Sequence, residues 1–311
     1  RHVDAVPGST VFLIASEEPV DTGLIPRRLV DRGLEGRLLV LDALAWRITK
    51  ERKDDLSAAL AGAPRLINSD IRPILVSREL VLDFLRSGKR FAGFLEALTG
   101  LPPWALPAAL LACAALIGLL SGRGGSAARA AVFLTGFCSM TVQISLMLAY
   151  QAFSGILYHT LAVLTALFMA GAASGAFCAG KRSGRDWRTL AFLNSLLGLT
   201  ALIVPAWLYI QGQAAPGQAA GSAGFMLLSL AGGMLTGAYY RTAVDVAWPA
   251  SSGAAPALFY SWDLFGACAG GMIAGTLLFP LSGLLWTSAA AAAVNVTVAL
   301  LITRKTVPGR S

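Results

Sequence analysis

Carboxylates all but vanish from the last two thirds of the chain. Residues 103–311 hold only Asp186, Asp245 and Asp263, against 14 acidic residues in 1–102. Histidine is scarcer still: His2 and His159 are the only two, too few to build a zinc site. The four cysteines, at 113, 138, 178 and 268, all lie in apolar runs and form no CxxC. They read as small buried hydrophobes, not as metal ligands. Charge of either sign is thin, at 14% of residues, where soluble domains sit near one quarter. What fills the space is apolar: 56% of residues, with a mean hydropathy of +0.65. That balance identifies an integral membrane protein, with the lipid bilayer as its first partner. The +8 net charge and the pI near 9.7 come from short connectors between apolar runs. Membrane orientation explains that excess, and no nucleic-acid partner is implied.

Residues 1–102 differ, with 15 Lys/Arg balancing the 14 acids. The chain opens on Arg1, directly into HVDAVPGSTVFLIAS, with no signal-peptide pattern. It reads as the middle of a domain, so a missing N-terminal portion of the same protein is expected. TVFLIAS (10–16) is a strand bounded by Pro and Gly. Asp21-Thr22 cap a helix over LIPRRLVDRGL, and RLLVLD (37–42) is a second strand. Residues 43–62 read as an amphipathic helix. Residues 64–97 read as a short strand and turn followed by a long helix. Strands alternating with helices imply an α/β domain over 1–102. No GxGxxG or phosphate loop follows a strand, and GRGG (122–125) is a connector between apolar runs.

Seven apolar runs follow, at about 103–121, 130–151, 156–180, 188–211, 219–240, 255–279 and 283–303. Each has the roughly 20 residues needed to cross a hydrocarbon core. Together, 103–311 read as a transmembrane helical domain. Small-xxx-small spacing at Gly171/Gly175, Gly233/Gly237, Gly266/Gly270 and Gly271/Gly275 marks packing seams, because lipid gives helices no hydrophobic reason to associate. MAGAASGAFCAGKR (169–182) echoes LAGGMLTGAYYR (230–241). The ten basic residues of 103–311 all follow the first, third, fifth or seventh run, and the other connectors carry no charge. By the positive-inside rule the odd connectors face the cytoplasm, which puts 1–102 outside if the first run crosses fully. NVT (295–297) matches a glycosylation acceptor but lies inside the last run.

Asp263 is the one acid inside an apolar run. It lies about eight residues in, roughly 12 Å along a helix. A charge at the centre of a membrane helix costs about 2.5–3.5 kcal/mol. Phe259, Gly266 and Gly270 share its face, so the side chain is expected to point into the bundle. No Lys or Arg lies inside a run. The candidate polar partners are Gln143, Asn194, Gln151, Tyr158 and His159, of which Gln143 and Asn194 match its depth.

Several stretches resemble the bacterial membrane-embedded spermidine-synthase-like (polyamine aminopropyltransferase-like) proteins. In VPGSTVFLIASEEP … INSDIRPILVSRELVLDF the likeness is carried by Pro7, Gly8, Phe12-Leu13, Ala15-Ser16, Asn68, Asp70 and Pro73. In two apolar runs it is carried by Tyr150, Gln151, Gly155, Tyr158, Phe168, Met169, Gly171 and Gly175, then by Tyr260, Asp263, Leu264, Gly266, Gly270, Pro280 and Gly283. The resemblance implies a mostly α polytopic bundle preceded by part of a Rossmann-like domain, in a bacterial inner membrane. It also implies decarboxylated S-adenosylmethionine as the cofactor of a full-length parent. The cofactor loop and the amine-holding aspartates of that family have no counterpart here. Ile67 and Arg72 replace its Tyr and His, and Gln143 stands where members often carry Glu. This chain alone is therefore expected to bind no cofactor and to be inactive. The alternative is a transporter-like protein for a small polar or cationic solute with a vestigial soluble domain. A plain structural anchor is a third reading.

Overall fold

The computed structural model describes residues 2–6, 12–18, 21–32, 46, 48–62, 97–121, 125–154, 158–181, 186–214, 218–247 and 254–306. The chain divides into two units, Arg1–Leu66 and Ile67–Ser311.

In the first unit, β1 (His2–Val6) and β2 (Phe12–Ser16) pair antiparallel, with Asp4 opposite Ile14. β2 is the strand expected over 10–16. β1 was not anticipated, although its alternation (His2, Val3, Asp4, Ala5, Val6) is a strand pattern. Asp21 caps a 3-10 turn by accepting the Gly23 N–H at 2.9 Å, and Pro26 then starts α1 (Ile25–Asp31). α2 is Lys50–Ala61, shorter than the expected 43–62, and it buries no side chain. Its KERKDD start is too charged to give an apolar face. Lys53 ties it to β1 through a 2.9 Å ion pair with Asp4, which also accepts from the buried Thr22 hydroxyl at 2.5 Å. The second expected strand (37–42) and the elements expected over 64–96 lie outside the described residues.

The second unit is helical: α3 (Ala105–Leu120), α4 (Gly125–Ser154), α5 (Tyr158–Gly180), α6 (Trp187–Ala214), α7 (Gln218–Ala247), α8 (Ala254–Ile273) and α9 (Phe279–Thr306). One π turn, Ala274–Leu278, joins α8 to α9. Five segments are long and apolar enough to cross a membrane, the last being Pro256–Thr303. α3 is shorter, 16 residues, or about 24 Å. Large side chains such as Leu119, Leu120, Met169, Phe177, Phe265 and Met272 point outward. In water that belt would be an aggregation surface; around a membrane bundle it is the face lipid covers.

The glycine seams set which helices touch. A Cβ on Gly171 or Gly175 would overlap the Leu230 or Met234 carbonyl oxygen, and one on Gly233 or Gly237 those of Phe168 or Ala172. α5 and α7 therefore lie backbone to backbone, running parallel, and the two echoing sequences form the two sides of one contact. α4 and α8 repeat the arrangement: Gly266 and Gly270 press on the Phe133 and Phe137 carbonyls, and Gly136 on that of Asp263. Gly271 and Gly275 have the same spacing but make no seam. Gly271 meets only the Met140 side chain, and Gly275 nothing within 4 Å.

α8 runs parallel to α4, whereas α9 runs antiparallel to it: Leu134 neighbours Val298 across one cleft, and Ser288 bonds Ser145. The segment Pro256–Thr303 therefore doubles back. The reversal is at Gly283, with φ 78° and ψ 176°, a conformation closed to L side chains. A straight 48-residue helix would be about 72 Å long, far beyond a core of about 30 Å. α4 is the central element, packed against all six other helices, and 61% of its span window is buried against 17% for α5. Of the four cysteines expected to be buried, only Cys138 is; the others face outward as free thiols.

Candidate functional site

Asp263 sits at the α4/α8 seam. Phe259 and Gly270 on its face are buried as expected, and the side chain is half-buried. Its Oδ1 would lie 2.8 Å from a Cβ on Gly136, so only the missing side chain there makes room for the carboxylate. Aromatic rings gather around it. Tyr239 and Tyr240 of α7 are within electrostatic range. Trp262 stacks edge-on to Phe133 with centroids 6.3 Å apart, and Tyr260 edge-on to Tyr240 at 6.4 Å. The Tyr240 hydroxyl is occupied, donating to the Pro256 carbonyl at 2.9 Å. Among the described residues Asp263 makes no hydrogen bond and no ion pair.

Behind the carboxylate a polar layer crosses the bundle. Tyr239 is buried, and its hydroxyl lies next to Thr135 but makes no hydrogen bond of good geometry among the described residues. Thr135 donates to Asn194 Oδ1 at 3.2 Å, and Asn194 Nδ2 donates to the Asn295 carbonyl at 3.0 Å. Asn295 Nδ2 donates to the Ala291 carbonyl, which leaves its Oδ1 without a partner. Counting from the ends of α4, α6, α7, α8 and α9, these residues all lie seven to eleven positions in, roughly 10–17 Å. One turn further along α4, Ser139 and Thr236 share a 3.0 Å hydrogen bond. Beyond that, Ser229 donates to the Leu164 carbonyl at 2.7 Å and lies 3.5 Å from Gln143 Oε1. That hydroxyl has one proton, so the amide of Gln143 is nearly unpaired, and its Nε2 has no partner at all. Each such buried, unsatisfied group costs about 1–3 kcal/mol, so the layer carries capacity for bonds that packing alone does not use.

The candidate residues named from sequence do not form one site. Asn194 joins Thr135 and Asn295, Gln143 joins Ser229, and neither bonds Asp263. Gln151 is partly buried on the last turns of α4, while Tyr158 and His159 are exposed at the start of α5. Sequence reasoning missed Thr135, Tyr239 and Asn295. One signal was available: Thr135, Ser139 and Gln143 recur every four residues, which places them on one face of α4. Asn295, part of the NVT match, is 1% exposed.

No group of three or more His, Cys, Asp or Glu occurs among the described residues, so none of them frames a metal site. At the start of α6, the Thr189 backbone N–H and hydroxyl both donate to Asp186, at 2.9 and 2.8 Å. Those bonds hold its carboxyl below the usual carboxylate range. What the bundle can do chemically is narrow: at the α4/α8 seam it presents the Asp263 carboxylate, near several aromatic side chains and in front of an incompletely bonded polar layer. Compared with family models, curated proteins and solved structures, the chain matches none.

Proposed function

We propose that the chain belongs to a membrane-embedded, spermidine-synthase-like protein of a bacterial inner membrane, and that its bundle binds a small organic cation at Asp263. One observation carries the cation site. Asp263 has no Lys, Arg or His partner among the described residues, yet it is set among Phe133, Tyr240, Tyr260 and Trp262. A carboxylate beside aromatic faces suits an ammonium group, which gains from both charge and ring quadrupole. The bundle crosses the membrane seven times, with α8 and α9 as separate crossings and α3 as the first. Alternating directions support this count, since α5 and α7 run parallel, as do α4 and α8. Aminopropyl transfer by a Rossmann-like domain in the first unit has less support. The described residues there form a hairpin and two short helices, and a cofactor loop is missing from the sequence.

The test is calorimetric titration of the full chain in detergent with putrescine, a simple alkyl diamine. Saturable binding that weakens tenfold or more in Asp263→Asn, with unchanged helical circular dichroism, is expected. Equal binding by both proteins, or none by the wild type, overturns the reading. Single cysteines at Ser183 and Ala215, in a background without native cysteines, are expected to label from opposite sides of the membrane.

A further inference from the structure

Glycines lock two helix pairs, α5 with α7 and α4 with α8. The two pairs meet along α4 and α7, where no glycine among the described residues presses on the other helix's backbone. Polar side chains stand opposite one another there instead. Tyr239 lies next to Thr135. One turn on, the Ser139 and Thr236 hydroxyls are 3.0 Å apart. Gln143 Oε1 lies 3.5 Å from the Ser229 hydroxyl, and the Tyr150 and Ser222 hydroxyls are also 3.5 Å apart. From Thr135 to Tyr150 this ladder runs about 22 Å along α4, most of a hydrocarbon core about 30 Å thick. Its protons are largely engaged already. Ser229 donates to the Leu164 carbonyl and Thr236 to that of Gly232, so Ser139 must donate to Thr236. Thr135 donates to Asn194. What these hydroxyls still offer is lone pairs. Asn295 Oδ1 has no partner among the described residues and the Gln143 amide almost none, although the two side chains are 1% and 4% exposed.

We propose that the α4/α7 interface is the route by which the organic cation held at Asp263 crosses the membrane. The inference rests on the cation site proposed above, which stands at one end of the ladder, within electrostatic range of Tyr239. Surplus acceptors in a water-poor interior suit a guest that brings N–H donors and a positive charge. Residues 135–150 and 222–239 hold no Lys, Arg or His to repel it. The methylenes of an alkylamine match the apolar residues between the rungs. A divalent metal ion needs about six oxygens at once, whereas each level pairs only two side chains. Rocking of one glycine-locked pair against the other opens this interface without breaking either backbone seam, a motion of the kind by which transporters alternate access.

Uptake of radiolabelled putrescine into proteoliposomes of the full chain, driven by an inside-negative potassium diffusion potential, tests the route. Calorimetry follows binding in parallel, and the unfolding midpoint follows folding. Gln143→Leu keeps the bulk of the side chain and removes its amide. It is expected to slow uptake about tenfold, the worth of one hydrogen bond to a charged group, with binding unchanged and the midpoint not lowered. Thr236→Val, an isosteric change at a half-buried position, is expected to slow uptake about threefold, and it decides the matter if Gln143→Leu does not fold. Thr165→Val, whose exposed hydroxyl on α5 bonds only its own helix, is expected to match the wild type. The route is overturned if the wild type binds putrescine but accumulates none, or if both ladder variants take it up at the wild-type rate. It is also overturned if Thr165→Val loses as much as they do, or if their binding falls in step with uptake, which would make the ladder part of the Asp263 site. No putrescine binding by the wild type is a different result: it removes the Asp263 reading, and the route with it.

Discussion

Two glycine seams hold this bundle together, and they are not equivalent. Both join parallel helices at backbone distance, α5 to α7 and α4 to α8. The α5/α7 seam is closed by Leu230, Met234, Phe168 and Ala172, whose carbonyls sit over glycines and leave no room for chemistry. In the α4/α8 seam one position opposite a glycine is Asp263, and a layer of Thr135, Asn194 and Asn295 lies behind it. Small-xxx-small spacing therefore marks close approach only. What stands opposite the glycine decides whether the approach also makes a site.

The sharpest way to break this comparison is to fill the purely structural seam. Gly233→Leu puts a branched side chain into the Phe168 carbonyl, which is backbone and cannot step aside. A loss of about 3 kcal/mol or more is expected, read as a lowered unfolding midpoint in mixed micelles, with no specific effect on amine binding. The adjacent Gly232→Ala, which meets nothing within 4 Å, is expected to stay within about 0.5 kcal/mol. Next in size is Asn194→Leu behind the other seam. It strands the Thr135 hydroxyl and the Asn295 carbonyl together, and about 2–3 kcal/mol should be lost by the same measurement. Tyr239→Phe is expected to go the other way by up to about 1 kcal/mol, because the hydroxyl it removes is buried and unbonded. A clear destabilisation would mean that this hydroxyl has a partner in solution.

The smallest effect belongs to Asp186, outside both seams. Its carboxyl titrates below the usual range because the Thr189 backbone N–H and hydroxyl bond the charged form. A depressed carboxylate contributes stability that is fully present above the unfolded value near 4 and is lost as pH falls through the lower folded value. Thermal midpoints of wild type and Asp186→Ala, compared from pH 7 down to pH 3, should differ slightly at neutral pH and converge at the acid end. A constant gap would remove the charge from the explanation.

The helices of the second unit were legible because about 20 consecutive apolar residues leave the chain few other options. Two features fix the close contacts, glycine spacing and the carbonyls they uncover, and only the first can be read from sequence. Gly270 and Gly271 show the limit: one position apart, they differ by about 100° around the helix, which separates a seam from an outer face. Depth was legible for Asp263 and azimuth was not. Gln143 and Asn194 were matched to it by height in the membrane, yet they point at Ser229 and at Thr135. The polar layer escaped notice because single Thr, Ser and Asn residues hardly disturb an apolar run. β1 escaped although its own alternation is a strand pattern, because five residues are few and its partner is set by pairing.

Gly283 has a consequence for biosynthesis. The two legs it joins are linked by Phe279, Pro280, Leu281 and Ser282, with no charge for an insertion machinery to hold in water. On the seven-crossing reading proposed above, the two legs would enter the bilayer together as one hairpin, and a bulky residue at Gly283 is expected to leave the last leg misplaced in a fraction of chains.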